Sequence, residues 1–207
     1  MKYAFFGDIH GYMSEYLAAI DAIREHNPSH IICLGDIVEG GEFSDQICDL
    51  IRRQSMIRCV RGNHDENNDL RLEATNSNWL MSLPISIIEN GCCFTHESPA
   101  QPPRKINSAY EAWRAMDETD HRLIIVGDSH ISKVYTDDGM TVGEARTVPF
   151  DYGVALNLAS SARYVISPGA VGYSRDNTQK PKYAILDLDE NTLIIDCVEQ
   201  DTGLNLS

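Results

Sequence analysis

Five short motifs run along this chain in a fixed order. They are Gly7-Asp8-Ile9-His10-Gly11, Gly35-Asp36-Ile37-Val38-Glu39, Gly62-Asn63-His64-Asp65, Thr95-His96-Glu97 and Gly127-Asp128-Ser129-His130. Short apolar runs lead into them, among them Lys2–Phe6, His30–Leu34, Ile57–Val60, Cys92–Thr95 and Leu123–Val126. An apolar run that stops at a Gly-Asp or Gly-Asn pair reads as a buried strand giving way to a loop. The carboxylate, imidazole and amide side chains thus sit where strands end and loops begin. Loops at strand C-terminal ends are where α/β folds bind ligands.

The segments between the early strands have helical spacing. Tyr12–His26 places Met13, Tyr16, Leu17, Ile20 and Ile23 on one side and ends at Asn27-Pro28. Glu42–Arg53 does the same with Phe43, Ile47, Leu50 and Ile51, and Ser44 is expected to be its N-cap. A β-α-β-α-β start implies a right-handed parallel sheet. The second half differs. Ile85–Glu89 and Cys92–Thr95 flank Asn90-Gly91, a hairpin signal. Asn107–Thr119 reads as a helix, Tyr164–Ser167 as a strand ending at Pro168-Gly169, and Tyr183–Leu188 with Thr192–Val198 as a final hairpin. Three stretches look irregular: Glu66–Ser82, polar and short-helical; Ser98–Ile106, with three prolines; and Thr136–Leu156. Neither a repeat nor a dividing linker breaks the 207 residues, so one domain over 1–207 is expected.

Bulk properties narrow the function. No apolar run reaches the length of a membrane span. The N-terminal stretch is expected not to be a signal peptide, because Tyr3–Phe6 is too short for an h-region. The six cysteines have no CxxC spacing and read as reduced, buried thiols, which makes the cytoplasm the expected location. A net charge of −14 argues against a basic groove for nucleic acid. The expected partner is a small substrate.

Four of the seven histidines fall in the motifs; His26, His30 and His121 lie at helix ends or strand starts and read as structural. Asp8 and His10, two residues apart at a strand end, can reach one ion. Asp36 has two oxygens and can bridge two ions, Asn63 offers an amide oxygen, and His96 and His130 offer imidazole nitrogens. Such a mixed set suits Mn, Fe, Zn or Co better than Ca. Two adjacent divalent ions would polarise phosphoryl oxygens and turn a bridging water into hydroxide, so no side-chain nucleophile is needed. His64, beside Asn63, is assigned instead to protonating the leaving oxygen. A carboxylate must orient it, and Glu39 or Asp65 could serve.

The series resembles the calcineurin-like metallophosphoesterase superfamily over essentially the whole chain, its small bacterial and archaeal phosphodiesterase-like members in particular. Ser167-Pro168-Gly169-Ala170-Val171-Gly172 is similar to a Pro-Gly segment of those members. The resemblance implies a four-layer α/β/β/α sandwich of two mixed sheets flanked by helices, with a dinuclear metal site at strand C-terminal ends. It puts one ion on Asp8, His10, Asp36 and His130, and the second on Asp36, Asn63, His96 and Asp128. It places His64 at the proton donor and Glu39 at the carboxylate that pairs with it. Arg175 and Arg61 become candidates for holding a substrate phosphate. One departure stands out: the family has His where this chain has Asp128. A hard carboxylate there is expected to weaken activation of the bridging water and to favour Mn or Fe over Zn.

The function expected is metal-dependent hydrolysis of a phosphodiester or nucleotide-type phosphoester. A serine/threonine-type protein phosphatase is the first alternative, since Arg61-Gly62-Asn63-His64 resembles that branch. Its phosphate-binding Arg is missing, however, because the second motif continues Glu39-Gly40-Gly41. A dinucleotide polyphosphate hydrolase also fits. A non-enzymatic scaffold, as in the retromer subunit of this fold, is disfavoured by the presence of His64. Specificity is expected to reside in Glu66–Ser82, Ser98–Ile106 and Thr136–Tyr152, and Tyr152, Tyr173 and Trp79 are the aromatics that could stack a base.

Overall fold

A computed structural model of the chain describes residues 1–137, 139 and 143–198. The N-terminal third alternates strand and helix: β1 (Lys2–Phe6), α1 (Met13–Glu25), β2 (His30–Cys33), α2 (Ser44–Arg52) and β3 (Ile57–Cys59). Two short helices, α3 (Asn63–Glu66) and α4 (Ala74–Ser82), then lead to a hairpin of β4 (Ser86–Glu89) and β5 (Cys92–Thr95). There follow α5 (Ala109–Asp117), β6 (Leu123–Val126), β7 (Lys133–Asp137), β8 (Arg146–Thr147), β9 (Leu156–Asn157), β10 (Arg163–Ser167), β11 (Lys182–Asp187) and β12 (Thr192–Cys197).

Local chemistry explains most boundaries. Helix α1 buries Tyr16, Ala19, Ile20 and Ile23, one stripe at helical spacing. It stops where Asn27 turns to a φ of 49° ahead of Pro28. Helix α5 opens on a capping box: the Ser108 hydroxyl accepts from the Glu111 N–H at 3.2 Å, and Glu111 Oε2 accepts from the Ser108 N–H at 2.9 Å. In the β4–β5 hairpin Asn90 and Gly91 both have positive φ, 49° and 75°, as the tight turn requires. The expected N-cap at Ser44 is corrected. Phe43 occupies the cap position, and the Ser44 hydroxyl accepts from the Glu39 N–H at 3.3 Å, tying the helix to the second motif loop.

Two mixed six-stranded sheets result. The first has the order β3-β2-β1-β11-β12-β9, the second β4-β5-β6-β10-β7-β8. Each contains three parallel strands, β1–β3 in one and β5, β6 and β10 in the other, extended by antiparallel neighbours. Strand β7 was not anticipated from the sequence. Strands β8 and β9 lie in or at the end of the stretch read as irregular, of which residues 138 and 140–142 fall outside the described residues.

Alternating side chains divide the interior into three cores. Tyr3, Phe5, Ile32, Leu34, Ala184 and Leu186 of the first sheet meet Phe94, Leu123, Ile125, Val134, Tyr164 and Ile166 of the second. The opposite faces of β1 and β2 (Ala4, Phe6, Ile31 and Cys33) pack on Tyr16, Ile20, Ile23, Ile47 and Ile51 of α1 and α2. Ile124, Val126, Tyr135 and Val165 pack on Ala112, Ala115 and Met116 of α5. The layers are therefore helix, sheet, sheet, helix. Each fully buried Phe or Ile contributes on the order of 1.5–3 kcal/mol of hydrophobic transfer free energy. The parallel strands of both sheets end in the sequence motifs.

Candidate metal centre

The backbone changes hand at the ends of β1, β2 and β6. Asp8, His10, Asp36, Asp128 and His130 have φ of 53°, 51°, 53°, 61° and 58°. This left-handed region is tolerated by Asp and His better than by most residues. The first two loops are laced together: the Ile9 and His10 N–H groups donate to the Asp36 carbonyl at 2.8 and 3.0 Å, and the Gly11 N–H donates to Ile37 O at 3.0 Å. The Asp65 carboxylate completes the lacing. It is buried and accepts from the backbone N–H groups of Asp36, Ile37 and Gly62 at 2.9, 2.8 and 2.9 Å. Burial, and next the charge of Asp36, pushes its carboxyl up to about 6. Asp65 therefore ties the second motif loop to the third and does not orient His64.

Asp8, His10, Asp36 and His130 converge. All four are buried, and one potential ligand atom from each lies within 4.8 Å of the others. Tautomers follow from the backbone. His10 Nδ1 faces Glu39 O at 2.9 Å, His130 Nδ1 faces Tyr173 O at 2.8 Å and His96 Nδ1 faces Leu34 O at 2.7 Å. A carbonyl only accepts, so each Nδ1 carries the hydrogen and, in the neutral ring, each Nε2 presents a lone pair. The His10 and His130 Nε2 atoms stand 3.2 Å apart. Burial keeps both rings below the ordinary imidazole range, His130 at about 4, so a proton does not relieve that contact near neutral pH. Asp8 Oδ2 is buried without a hydrogen-bond partner. Facing lone pairs and an orphaned carboxylate oxygen are what a divalent cation resolves, and this donor set fits one.

The residues expected at a second ion come together in part. His96 Nε2 lies 3.2 Å from Asp36 Oδ2 and 3.0 Å from Asn63 Oδ1. Burial would lower the His96 ring, but its bond to Asp36 and the charges of Asp36, Asp8 and Asp128 hold it well above the usual range. A proton thus shares the position an ion would take. Asp128 does not join. Its carboxylate is bonded to Lys105 Nζ at 2.7 Å, and no group of potential ligands that includes Asp128 is found among the described residues. Lys105 is the site residue that the sequence did not announce, since a lysine in a proline-rich loop carries no motif.

His64 sits at the rim. Its ring is 5.1 Å from that of His10, its side chain is 40% exposed, and its Nδ1 is 2.5 Å from Glu39 Oε2. Glu39 is thus the carboxylate that meets it. Of the two arginines, Arg61 is committed elsewhere: it donates to Met81 O at 2.8 Å and lies 3.5 Å from Glu66. Arg175 is exposed, with its guanidinium 6.0 Å from the Tyr173 ring centre and its backbone N–H on His130 O at 3.1 Å. Tyr173 lies 4.4 Å from the His130 ring and is 38% exposed. The other two aromatics are not at the site. The Tyr152 hydroxyl bonds Asp176 at 3.1 Å, and Trp79 packs against the core under α1 and α2. A recess of about 190 Å³ opens beside Asn63, His96 and Glu97, small against the few hundred Å³ of most ligand pockets.

Comparison with known proteins identifies the family and the fold. Residues 1–115, more than half the chain, match the family model of calcineurin-like phosphoesterases, and the chain belongs to that family. It is 29% identical over 230 residues to the uncharacterized protein MJ0912 of Methanocaldococcus jannaschii, covering 96% of this chain and 87% of that one. The crystal structure of a metallophosphoesterase from Sphaerobacter thermophilus superposes with a TM-score of 0.82 at 27% identity, covering 96% of this chain and 89% of the other. An archaeal phosphodiesterase shares the fold, with a TM-score of 0.57 at 18% identity over 96% of this chain and all of its own.

Proposed function

We propose that this chain is a dinuclear metal-dependent phosphoesterase that hydrolyses a small phosphodiester or nucleotide-type ester. One observation carries the reading: buried Nε2 lone pairs and an orphaned Asp8 oxygen converge on one point, with the His64–Glu39 pair at its rim. Bound ions, with Mn or Fe the expected pair and Zn or Co admissible, would polarise the phosphoryl oxygens and lower the pKa of water. Asp8, His10, Asp36 and His130 would hold the first, and Asp36, Asn63 and His96 the second. The chain's own contribution to bond breaking is the rim pair. Glu39 accepts the Nδ1 hydrogen and fixes the ring, so His64 Nε2 delivers a proton to the leaving oxygen. Tyr173, 5.2 Å from the His10 ring and 4.4 Å from the His130 ring, and Arg175 against it suit a planar leaving group and a phosphate oxygen. The absence of the protein phosphatase branch's Arg after Glu39 favours a small substrate over a folded protein. Cys33, Cys48, Cys59, Cys92 and Cys93 are buried thiols, which supports a reducing compartment such as the cytoplasm.

The test strips the protein with chelator and adds back Mn, Fe(II), Zn, Co or Mg singly. Cleavage of p-nitrophenyl phosphate and bis-p-nitrophenyl phosphate is then compared. Metal-dependent diester cleavage, lost in Asp36→Ala, is expected. A monoester preference would move the reading to the phosphatase branch, and no cleavage with any metal would overturn it.

A further inference from the structure

The Lys105 ammonium reaches Asp128 from outside the strand-end loops. Lys105 lies in the loop between β5 and α5, and its neighbours hold it in place. The Ser98 N–H donates to Arg104 O at 2.8 Å, and the Arg104 N–H donates back to the Ser98 hydroxyl at 3.0 Å, closing the loop on itself. Ile106, on the other side, is buried in the core under α5. The lysine between them is aimed at Asp128, whose side chain is only 10% exposed. Asp128 is in turn fixed by its own backbone N–H, which donates to Asp8 Oδ1 at 3.0 Å. A mostly buried carboxylate bonded to an ammonium is a charge-assisted pair.

We infer that Lys105 competes with the second metal ion for Asp128, making that position the loosely held one of the two. The inference rests on the two-ion reading above. Asp36, Asn63 and His96 already face one another. The fourth ligand, Asp128, becomes available only when the ammonium leaves it. An incoming dication must also approach a resident positive charge. The first position contains neither obstacle, so filling is stepwise, the first ion tight and the second weak.

The experiment titrates metal-stripped protein with Mn(II), following heat by calorimetry and free Mn by EPR. The wild type is expected to take up two ions in separate steps. Lys105→Met should tighten the second step about tenfold, the worth of one charge-assisted hydrogen bond, and leave the first within about twofold. Lys105→Arg keeps the charge and should keep the wild-type curve. In an Asp128→Asn background Lys105→Met should tighten the second step by less than in the wild type, since only the repulsion of the ammonium is then removed. An unchanged or weakened second step in Lys105→Met, or equal affinities in the wild type, overturns the inference. Uptake of a single ion by every variant overturns the two-ion reading itself. Thermal melting of each stripped variant shows that the fold is intact, as expected for a partly exposed side chain.

Discussion

His64 and Asp65 are adjacent in sequence and opposite in employment. One side chain stands at the rim beside Glu39, and the other is sealed among backbone N–H groups. Replacing His64 with Gln should lower kcat about 10²-fold while leaving metal content unchanged, as removal of a general acid does. The loss should be larger for alkyl esters than for p-nitrophenyl esters, whose leaving oxygen scarcely needs a proton. Glu39→Gln should show the same leaving-group dependence with a smaller drop. Equal losses on both ester types, measured by steady-state kinetics with elemental analysis, would count against proton donation. The cluster of Asp8, His10, Asp36 and His130 was legible as a set of candidates because Asp and His at strand ends are conspicuous. The choice between Glu39 and Asp65 was not, because both follow a motif and only the folded loops decide which meets the ring. Arg61 was legible by position alone: it stands beside Gly62 in sequence, whereas its bonds to Met81 and Glu66 are contacts across the fold.

Among the elements, the strand-to-helix corner at Gly62 is the most tightly built. A Cβ there would overlap the Asp36 backbone nitrogen and carboxylate, so the residue is Gly for closeness of approach. Gly62→Ala should displace Asp36, weaken Mn(II) binding at least tenfold, and cost about 1–3 kcal/mol in urea unfolding. Wild-type affinity in a fully folded Gly62→Ala protein would show that the loops can separate freely. Helices α1 and α5 and the β4–β5 hairpin were legible because stripe, cap and turn residues are local signals. Strand β7 was not. Its five residues, Lys133–Asp137, follow His130 too closely to show a turn, and pairing with β10 and β8 across the fold makes them a strand. Ser44 looked like a cap because the cap and first-turn positions are one residue apart, and its hydroxyl went to Glu39 instead.

At the scale of the whole molecule, the layers could be inferred, but the strand order could not, since nothing local says that β11 lies against β1. The buried thiols give a global prediction. Burial pushes Cys92 up to about 12 and Cys93 up to about 11 from an ordinary value near 9.0. Above pH 9 the unfolded chain releases protons that the native chain keeps, so stability falls as pH rises. The contribution is complete below pH 9 and lost on the way to about pH 11, at up to about 1.4 kcal/mol per thiol per pH unit. Urea midpoints at pH 8, 9 and 10 should therefore decline steeply only in the last interval, and a flat profile would show the thiols already accessible. The position of β1 has a consequence for synthesis. Its open edge is filled by β11, so between the emergence of Phe6 and that of Lys182 a ribosome making 5–20 residues per second runs for about 9–35 s. Throughout that interval the nascent chain exposes an apolar strand with an unpaired edge. The sheet that carries part of the candidate site is thus closed only once β11 has been made, and a message truncated before that point would yield a sticky fragment rather than a folded domain.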